Sequence, residues 1–83
     1  MSEKSDIRVL LIDDEETLVE YVSKRLLREG YSVKATFSGE EAIEAANSDD
    51  FDVAVVDLKM PGMDGVKTQK RLKQIQPFIQ SII

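Results

Sequence analysis

Hydrophobic residues along the chain form four short runs that are typical of β-strands. Residues 7–12 (IRVLLI) are almost entirely apolar, which predicts a strand buried on both faces of a sheet. Residues 31–36 (YSVKAT) alternate between apolar and polar, as a strand near a sheet edge does. Residues 51–56 (FDVAVV) predict a third strand, and residues 78–83 (FIQSII) begin a fourth.

Three helical patterns separate these strands. The first covers residues 14–29 and ends before Gly30, which suits a helix C-terminus. Its apolar stripe consists of Leu18, Val19, Val22, Leu26 and Leu27. The second opens on the capping-box sequence SGEE at residues 38–41, and its apolar positions are Ala42, Ile43, Ala45 and Ala46. The third ends before Pro77, and its apolar positions are Val66, Leu72 and Ile75.

Alternation of buried strands with helices predicts an α/β fold with a parallel sheet between two layers of helices. Right-handed crossovers favour the doubly wound, flavodoxin-like strand order 2-1-3-4. In that order the first helix lies alone on one face, and the second and third helices lie on the other. We expect one domain over residues 1–83, with its core in residues 7–83.

The composition narrows the available chemistry. The 83 residues contain no cysteine and no histidine, which excludes disulfides, zinc–thiolate sites and a histidine general base. The net charge of -5 argues against binding of a nucleic-acid backbone by this segment. No run approaches the ~20 apolar residues that span a bilayer. The N-terminus also lacks a signal-peptide pattern, so a cytoplasmic location without membrane attachment is predicted.

Three aspartates directly follow the two strands that are predicted to be most buried. Asp13 and Asp14 come after the first strand, and Asp57 comes after the third. In a doubly wound sheet, the carboxyl ends of these two strands meet where the strand order reverses, and ligands bind there. We therefore expect the three carboxylates to converge. Because like charges repel at short range, a cation should sit among them.

Carboxylate ligands without histidine or cysteine favour a hard ion, Mg²⁺ or Mn²⁺. Mg²⁺ commonly shares its coordination with phosphate oxygens, so a phosphoryl group is the expected guest. Each aspartate has a simpler interpretation as a helix cap or a turn residue. The joint placement of all three favours the ligand site.

Two segments resemble the receiver domain of bacterial two-component response regulators: LLIDDEE at residues 10–16 and VVDLKMPGMDG at residues 55–65. With the strand and helix spacing, the resemblance extends from Ile7 to Ile83. It implies a signalling domain, not an enzyme. Such a domain accepts a phosphoryl group from a sensor histidine kinase in a Mg²⁺-dependent reaction.

The resemblance also implies roles for individual residues. Asp57 would be the phosphoacceptor. The metal ligands would be Asp13, Asp14 (directly or through water), Asp57 and the backbone carbonyl of Lys59. The loop-shaping residues would be Met60, Pro61 and Gly65, of which the last lets the chain turn into the third helix.

The family pattern continues beyond this sequence. The resemblance implies a further strand and two helices after Ile83, together with a Ser or Thr and a Lys that bind phosphoryl oxygens. Because those groups are absent from the 83 residues, we interpret the chain as a truncated receiver with impaired phosphorylation. The open fourth strand and the bare sheet face beside it predict a homodimer, formed through that face or by exchange of the C-terminal segment.

Two alternatives remain. The chain could be a non-phosphorylatable, self-associating receiver fragment that acts only as an interaction module. It could also be a Mg²⁺-dependent phosphohydrolase with an aspartyl-phosphate intermediate. Such enzymes commonly carry an acid two residues after the nucleophile, whereas this chain has Lys59 there.

Overall fold

A computed structural model describes residues 7–57 and 65–82. The elements in this part of the chain are β1 (Arg8–Ile12), α1 (Glu16–Arg28), β2 (Ser32–Thr36), α2 (Gly39–Ser48), β3 (Val53–Val56), α3 (Gly65–Ile75) and β4 (Gln80–Ile82). The four strands are parallel and form one sheet in the order β2-β1-β3-β4, which confirms the predicted topology.

The two faces of the sheet pack against different helices. Val9 and Leu11 of β1 point to the face that carries α1, where Val19 is buried against them. Leu10 and Ile12 point to the opposite face, which carries α2 and α3. The buried residues that join them there are Ala42, Ala46, Phe51, Ala54, Val56, Leu72 and Ile79. The prediction of one helix on one face and two on the other is therefore confirmed.

Helix α1 was predicted over residues 14–29 and covers Glu16–Arg28, and Gly30 follows its end as predicted, with a positive φ of 101°. The Gly30 N–H donates to the Leu27 carbonyl at 3.0 Å, and the Tyr31 N–H donates to the Leu26 carbonyl at 3.1 Å. These two bonds satisfy carbonyls that the helix end would otherwise leave open. Glycine fits this position because it adopts positive φ without a steric penalty.

The predicted apolar stripe of α1 is only partly correct. Val19 is buried and Val22 and Leu26 pack beside it, whereas Leu18 and Leu27 are 44% and 54% exposed. A stripe at spacings of three and four covers one side of a helix, and residues next to that stripe turn toward solvent. Val66 of α3 is likewise exposed, although it was predicted to face the core.

Helix α2 begins with the predicted cap. The Ser38 hydroxyl accepts the Glu41 N–H at 3.1 Å. The Glu41 carboxylate accepts the N–H of Phe37 at 3.4 Å, one residue before the position that a standard capping box uses. These two hydrogen bonds thus restrain the short turn between β2 and α2.

Gln76 joins the end of α2 to the start of β3. Its carboxamide oxygen accepts the Phe51 N–H at 2.8 Å. Its amide nitrogen donates to the carbonyls of Ala46 at 2.8 Å and Asp49 at 2.6 Å. These bonds satisfy backbone groups at the end of α2 and in the segment that leads to β3. They fix the position at which β3 enters the sheet. The position of Asp57, which follows the other end of β3, depends on this entry point.

The sheet face beside α1 is less covered over β3 and β4. Val53 and Val55 of β3 are half-buried there, and Ile82 of β4 is 55% exposed. The strand β4 begins at Gln80 instead of Phe78, which lies in a turn and is 93% exposed. Pro77 and Phe78 form that turn because α3 must reverse direction before the chain can re-enter the sheet.

Candidate functional site

Strands β1 and β3 are neighbours, so the residues that follow them leave the sheet side by side. Ile12 pairs with Val56, the last residue of β3. The N–H of Asp57 donates to the Ile12 carbonyl at 2.9 Å, which extends the pairing one step beyond the strand. Asp13 and Asp57 therefore lie next to each other at the ends of two paired strands.

The carboxylates of Asp13, Asp14 and Asp57 lie together at this edge of the sheet. One oxygen from each lies within 4.8 Å of the others. Asp13 and Asp57 are half-buried, and Asp14 is exposed. Three negative groups at this separation destabilise one another unless a cation or a proton intervenes. The structure thus places the three predicted aspartates in one cluster, while their roles remain predictions.

Asp13 is hydrogen-bonded through both its backbone and its side chain. Its N–H donates to the Thr36 carbonyl on β2 at 3.3 Å, and its Oδ1 accepts the Glu15 N–H at 3.0 Å. Burial raises the pKa of the Asp13 carboxyl, the hydrogen bond from Glu15 opposes that rise, and the negative charges of Asp57 and Asp14 add to it. The site therefore favours positive charge beside Asp13.

The donor set fits Mg²⁺ or Mn²⁺. All three side chains offer carboxylate oxygens, which hard divalent cations prefer. Mg²⁺ retains several waters and needs few protein ligands, so three carboxylates at the open end of a sheet can hold it. An ion held by these three carboxylates would still have coordination positions for water.

The other predicted site residues fall into two groups. Lys59, Met60 and Pro61 lie outside the described residues. Gly65 is buried and is the first residue of α3, where it was expected to let the chain turn into this helix. Its proposed part in shaping the loop stays a prediction.

Thr36 is a contributor to this region that no pattern in the sequence indicated. It shares the alternation phase of the exposed residues Ser32 and Lys34, which predicts an outward side chain. It is nevertheless only 2% exposed, and its backbone carbonyl contacts Asp13. Alternation along one strand could not reveal this burial, because it depends on how the following turn and helix fold over the strand end.

Within the described residues, no helix has both the length and the apolar character that a membrane crossing requires.

Comparisons of this chain with known proteins all point to one family. The family model described as the response regulator receiver domain matches residues 9–83. The alkaline phosphatase synthesis transcriptional regulatory protein PhoP of Bacillus subtilis is 37% identical over 67 residues. That match covers 81% of this chain and 28% of PhoP, so the chain spans little more than a quarter of this relative.

Two solved structures share the fold. The response regulator TrrA of Thermotoga maritima, in complex with Mg²⁺-BeF, matches with a TM-score of 0.86 and 28% identity, over 93% of this chain and 67% of TrrA. A chain from the complex of histidine kinase ThkA with TrrA matches with a TM-score of 0.83 and 28% identity, over 90% of this chain and 65% of that one. With a family model that matches most of its length, the chain belongs to the response regulator receiver domains of two-component signalling.

Proposed function

We propose that the chain is a phosphoacceptor domain in which Asp57 accepts a phosphoryl group from the phosphohistidine of a sensor histidine kinase. The observation that carries this proposal is the convergence of Asp13, Asp14 and Asp57 at the carboxyl end of the sheet. The likeness to TrrA, solved with Mg²⁺-BeF and in complex with the kinase ThkA, supports both the ion and the partner.

We propose Asp57 as the in-line acceptor in this transfer. Its backbone is fixed by the bond to Ile12, so the carboxylate needs little reorganisation before reaction. One carboxylate oxygen attacks phosphorus, and the bond from phosphorus to the donor's imidazole nitrogen breaks. The imidazole retains that electron pair, and Asp57 becomes an acyl phosphate. The chain acts as the acceptor in this step, and we propose no catalytic turnover for it.

Asp13, Asp14 and Asp57 are proposed to hold Mg²⁺ or Mn²⁺ together with the backbone carbonyl of Lys59. The bound ion would neutralise charge on the transferring phosphoryl oxygens. Asp13 is held at two points, since its N–H donates to the Thr36 carbonyl and its Oδ1 accepts the Glu15 N–H. Asp14 is exposed, which suits a ligand that acts directly or through water.

For the 83-residue polypeptide by itself, we propose that transfer is slow. The family's Ser or Thr and its Lys are not among these residues. Losing one preorganised group that stabilises developing charge typically costs about 10²–10³ in rate. We also propose that this segment does not bind nucleic acid, because its net charge of -5 would repel the phosphate backbone. A cytoplasmic location is part of the same proposal.

The experiment that tests the proposal is treatment with acetyl phosphate and Mg²⁺, followed by peptide mapping with mass spectrometry. We expect one modified residue, Asp57, and a rate well below that of longer receiver domains. Modification mapped to another aspartate would contradict the assignment of Asp57. A rate equal to that of longer receivers would contradict the proposed impairment.

A second candidate function, self-association, is favoured by the partly bare sheet face. Val53, Val55 and Ile82 form an apolar strip over β3 and β4, and β4 is an edge strand in the described sheet. Exposed strand edges and apolar strips promote association between chains. We propose a homodimer formed through this strip or by exchange of α3 and β4.

Sedimentation equilibrium at micromolar concentration tests the dimer. We expect the wild-type polypeptide to sediment as a dimer and Ile82→Lys to shift it toward monomer. Leu27→Lys is the matched control, because Leu27 is 54% exposed and Ile82 is 55% exposed. A folded wild-type chain that remains monomeric would refute the dimer.

A further inference from the structure

Thr36 is the last residue of β2 and is one of two polar residues that are buried as a whole in the described part of the chain. The other is Thr68 in α3. A buried hydroxyl is costly unless it forms a hydrogen bond, so its partner indicates what it stabilises.

Thr36 makes two bonds to the end of β1, one on either side of Ile12. Its hydroxyl donates to the Leu11 carbonyl at 2.6 Å, and this bond is buried. Its backbone carbonyl accepts the Asp13 N–H at 3.3 Å. The side-chain bond is the shorter of the two. It holds Thr36 in place, and the Thr36 carbonyl in turn restrains Asp13.

The acidic cluster is therefore tied to the sheet from two sides. On the β3 side, the Asp57 N–H donates to the Ile12 carbonyl at 2.9 Å. On the β2 side, the tie to Asp13 depends on the longer bond to Thr36. A long terminal bond is the weaker restraint, so the direction in which Asp13 leaves the sheet is most sensitive to how Thr36 is held.

We infer that Thr36 is a positioning residue for the metal-binding carboxylates. Its hydroxyl holds the end of β2 against β1, so that its carbonyl fixes the backbone of Asp13. This inference rests on the proposed function, in which the acidic cluster binds Mg²⁺. It adds a residue from the neighbouring strand that contacts neither the ion nor the phosphoryl group.

The required geometry explains why such a restraint matters. Mg²⁺ demands near-octahedral coordination with ligands at about 2.0–2.1 Å, so a small displacement of one carboxylate weakens binding. Removing groups that orient metal ligands typically lowers affinity by roughly 10–100-fold. Since Thr36 acts through the backbone of Asp13, we expect an effect near the lower end of this range.

Calorimetric titration of the 83-residue polypeptide with Mg²⁺ tests the inference. Thr36→Val keeps the shape and removes the hydroxyl, and we expect its affinity to fall about tenfold. Thr36→Ala should show the same loss if the valine variant folds poorly. Thr36→Ser restores the donor and should bind within about twofold of wild type.

Ala46→Gly is the matched control for general destabilisation. Ala46 is buried in α2 near the opposite end of the sheet, where it contacts Gln76. Glycine in a helix typically lowers stability by about 1 kcal/mol. This variant should therefore be less stable and still bind Mg²⁺ with wild-type affinity. Equal loss of affinity in Ala46→Gly and Thr36→Val would overturn the inference, as would wild-type affinity in Thr36→Val.

Amide hydrogen exchange in the metal-free protein gives an independent result. In Thr36→Val we expect the Asp13 amide to exchange about tenfold faster. A tenfold change corresponds to a loss of about 1.4 kcal/mol in the free energy of local opening. The Asp57 amide, bonded to Ile12 on the other side, should change much less. Similar acceleration at both amides would contradict a local role for Thr36. If the wild-type polypeptide does not bind Mg²⁺, the proposed function is wrong. The exchange measurement still tests the role of Thr36, because it uses the metal-free protein.

Discussion

Replacing Asp13 by asparagine is expected to weaken Mg²⁺ binding by on the order of 100-fold or more. Substituting groups that only orient ligands costs roughly 10–100-fold, so a direct carboxylate ligand should cost at least as much. The variant keeps the size of the side chain and removes its negative charge. Asp50→Asn is the control, because Asp50 is exposed and lies outside the acidic cluster. Calorimetric titration measures both variants.

The same substitution should act differently on the metal-free protein. Burial raises the pKa of Asp13, so the native state holds this proton more tightly than the unfolded state does. Its stabilising contribution is present below the unfolded pKa and is lost as pH rises through the raised value. At pH values above this raised pKa the ionised Asp13 opposes folding, and metal-free Asp13→Asn should there be at least as stable as wild type. Unchanged Mg²⁺ affinity in this variant would contradict its role as a ligand.

Leu72→Ala is expected to remove much of the stability of the fold. Leu72 is fully buried in the cluster between α3 and the sheet. Truncating a buried leucine to alanine costs about 2–5 kcal/mol. A domain of this length is stabilised by only about 4–12 kcal/mol in total. We therefore expect the urea midpoint to fall sharply, and a substantial fraction of the variant to be unfolded without denaturant if wild type lies near the lower limit.

Leu27→Ala is the matched control for this prediction. Leu27 is 54% exposed on α1, and surface substitutions usually change stability by less than about 0.5 kcal/mol. The comparison separates the stability lost with core packing from any effect of replacing an exposed leucine by alanine. Equal destabilisation by the two substitutions would contradict the packing of α3 described above.

The order of elements could be predicted from sequence because several signals agreed. The continuous apolar run of β1 required burial on both faces, and Gly30 and Ser38 marked helix ends with specific hydrogen bonds. Once the strands were parallel, right-handed connections left few topologies. The order β2-β1-β3-β4 follows from those constraints.

The orientation of helices about their own axes was less predictable. Leu18 and Val66 are apolar but exposed, whereas Thr68 is polar but fully buried. Amphipathic patterns give a broad apolar side, and the exact contact line depends on the neighbouring elements. Gln76 illustrates the same limit, because its partners in the turn before β3 are distant in sequence.

The acidic cluster was predictable because topology alone brings Asp13 and Asp57 together. Strand order determines which carboxyl ends are adjacent, and the pairing of Ile12 with Val56 sets both aspartates at the same height. The restraint on Asp13 by Thr36 was not predictable. It depends on a buried hydroxyl at a position where strand alternation predicts exposure.

Mapping of the acceptor after treatment with acetyl phosphate tests the central claim most directly. The design compares wild type, Asp57→Asn and the exposed control Asp50→Asn, each with Mg²⁺ and with EDTA. We predict a mass increase of about 80 Da, that of one phosphoryl group, on Asp57 of wild type and Asp50→Asn with Mg²⁺ only. Slow transfer is accommodated by a long incubation at high acetyl phosphate concentration. Equal modification of Asp57→Asn, or modification that does not depend on Mg²⁺, would contradict the account.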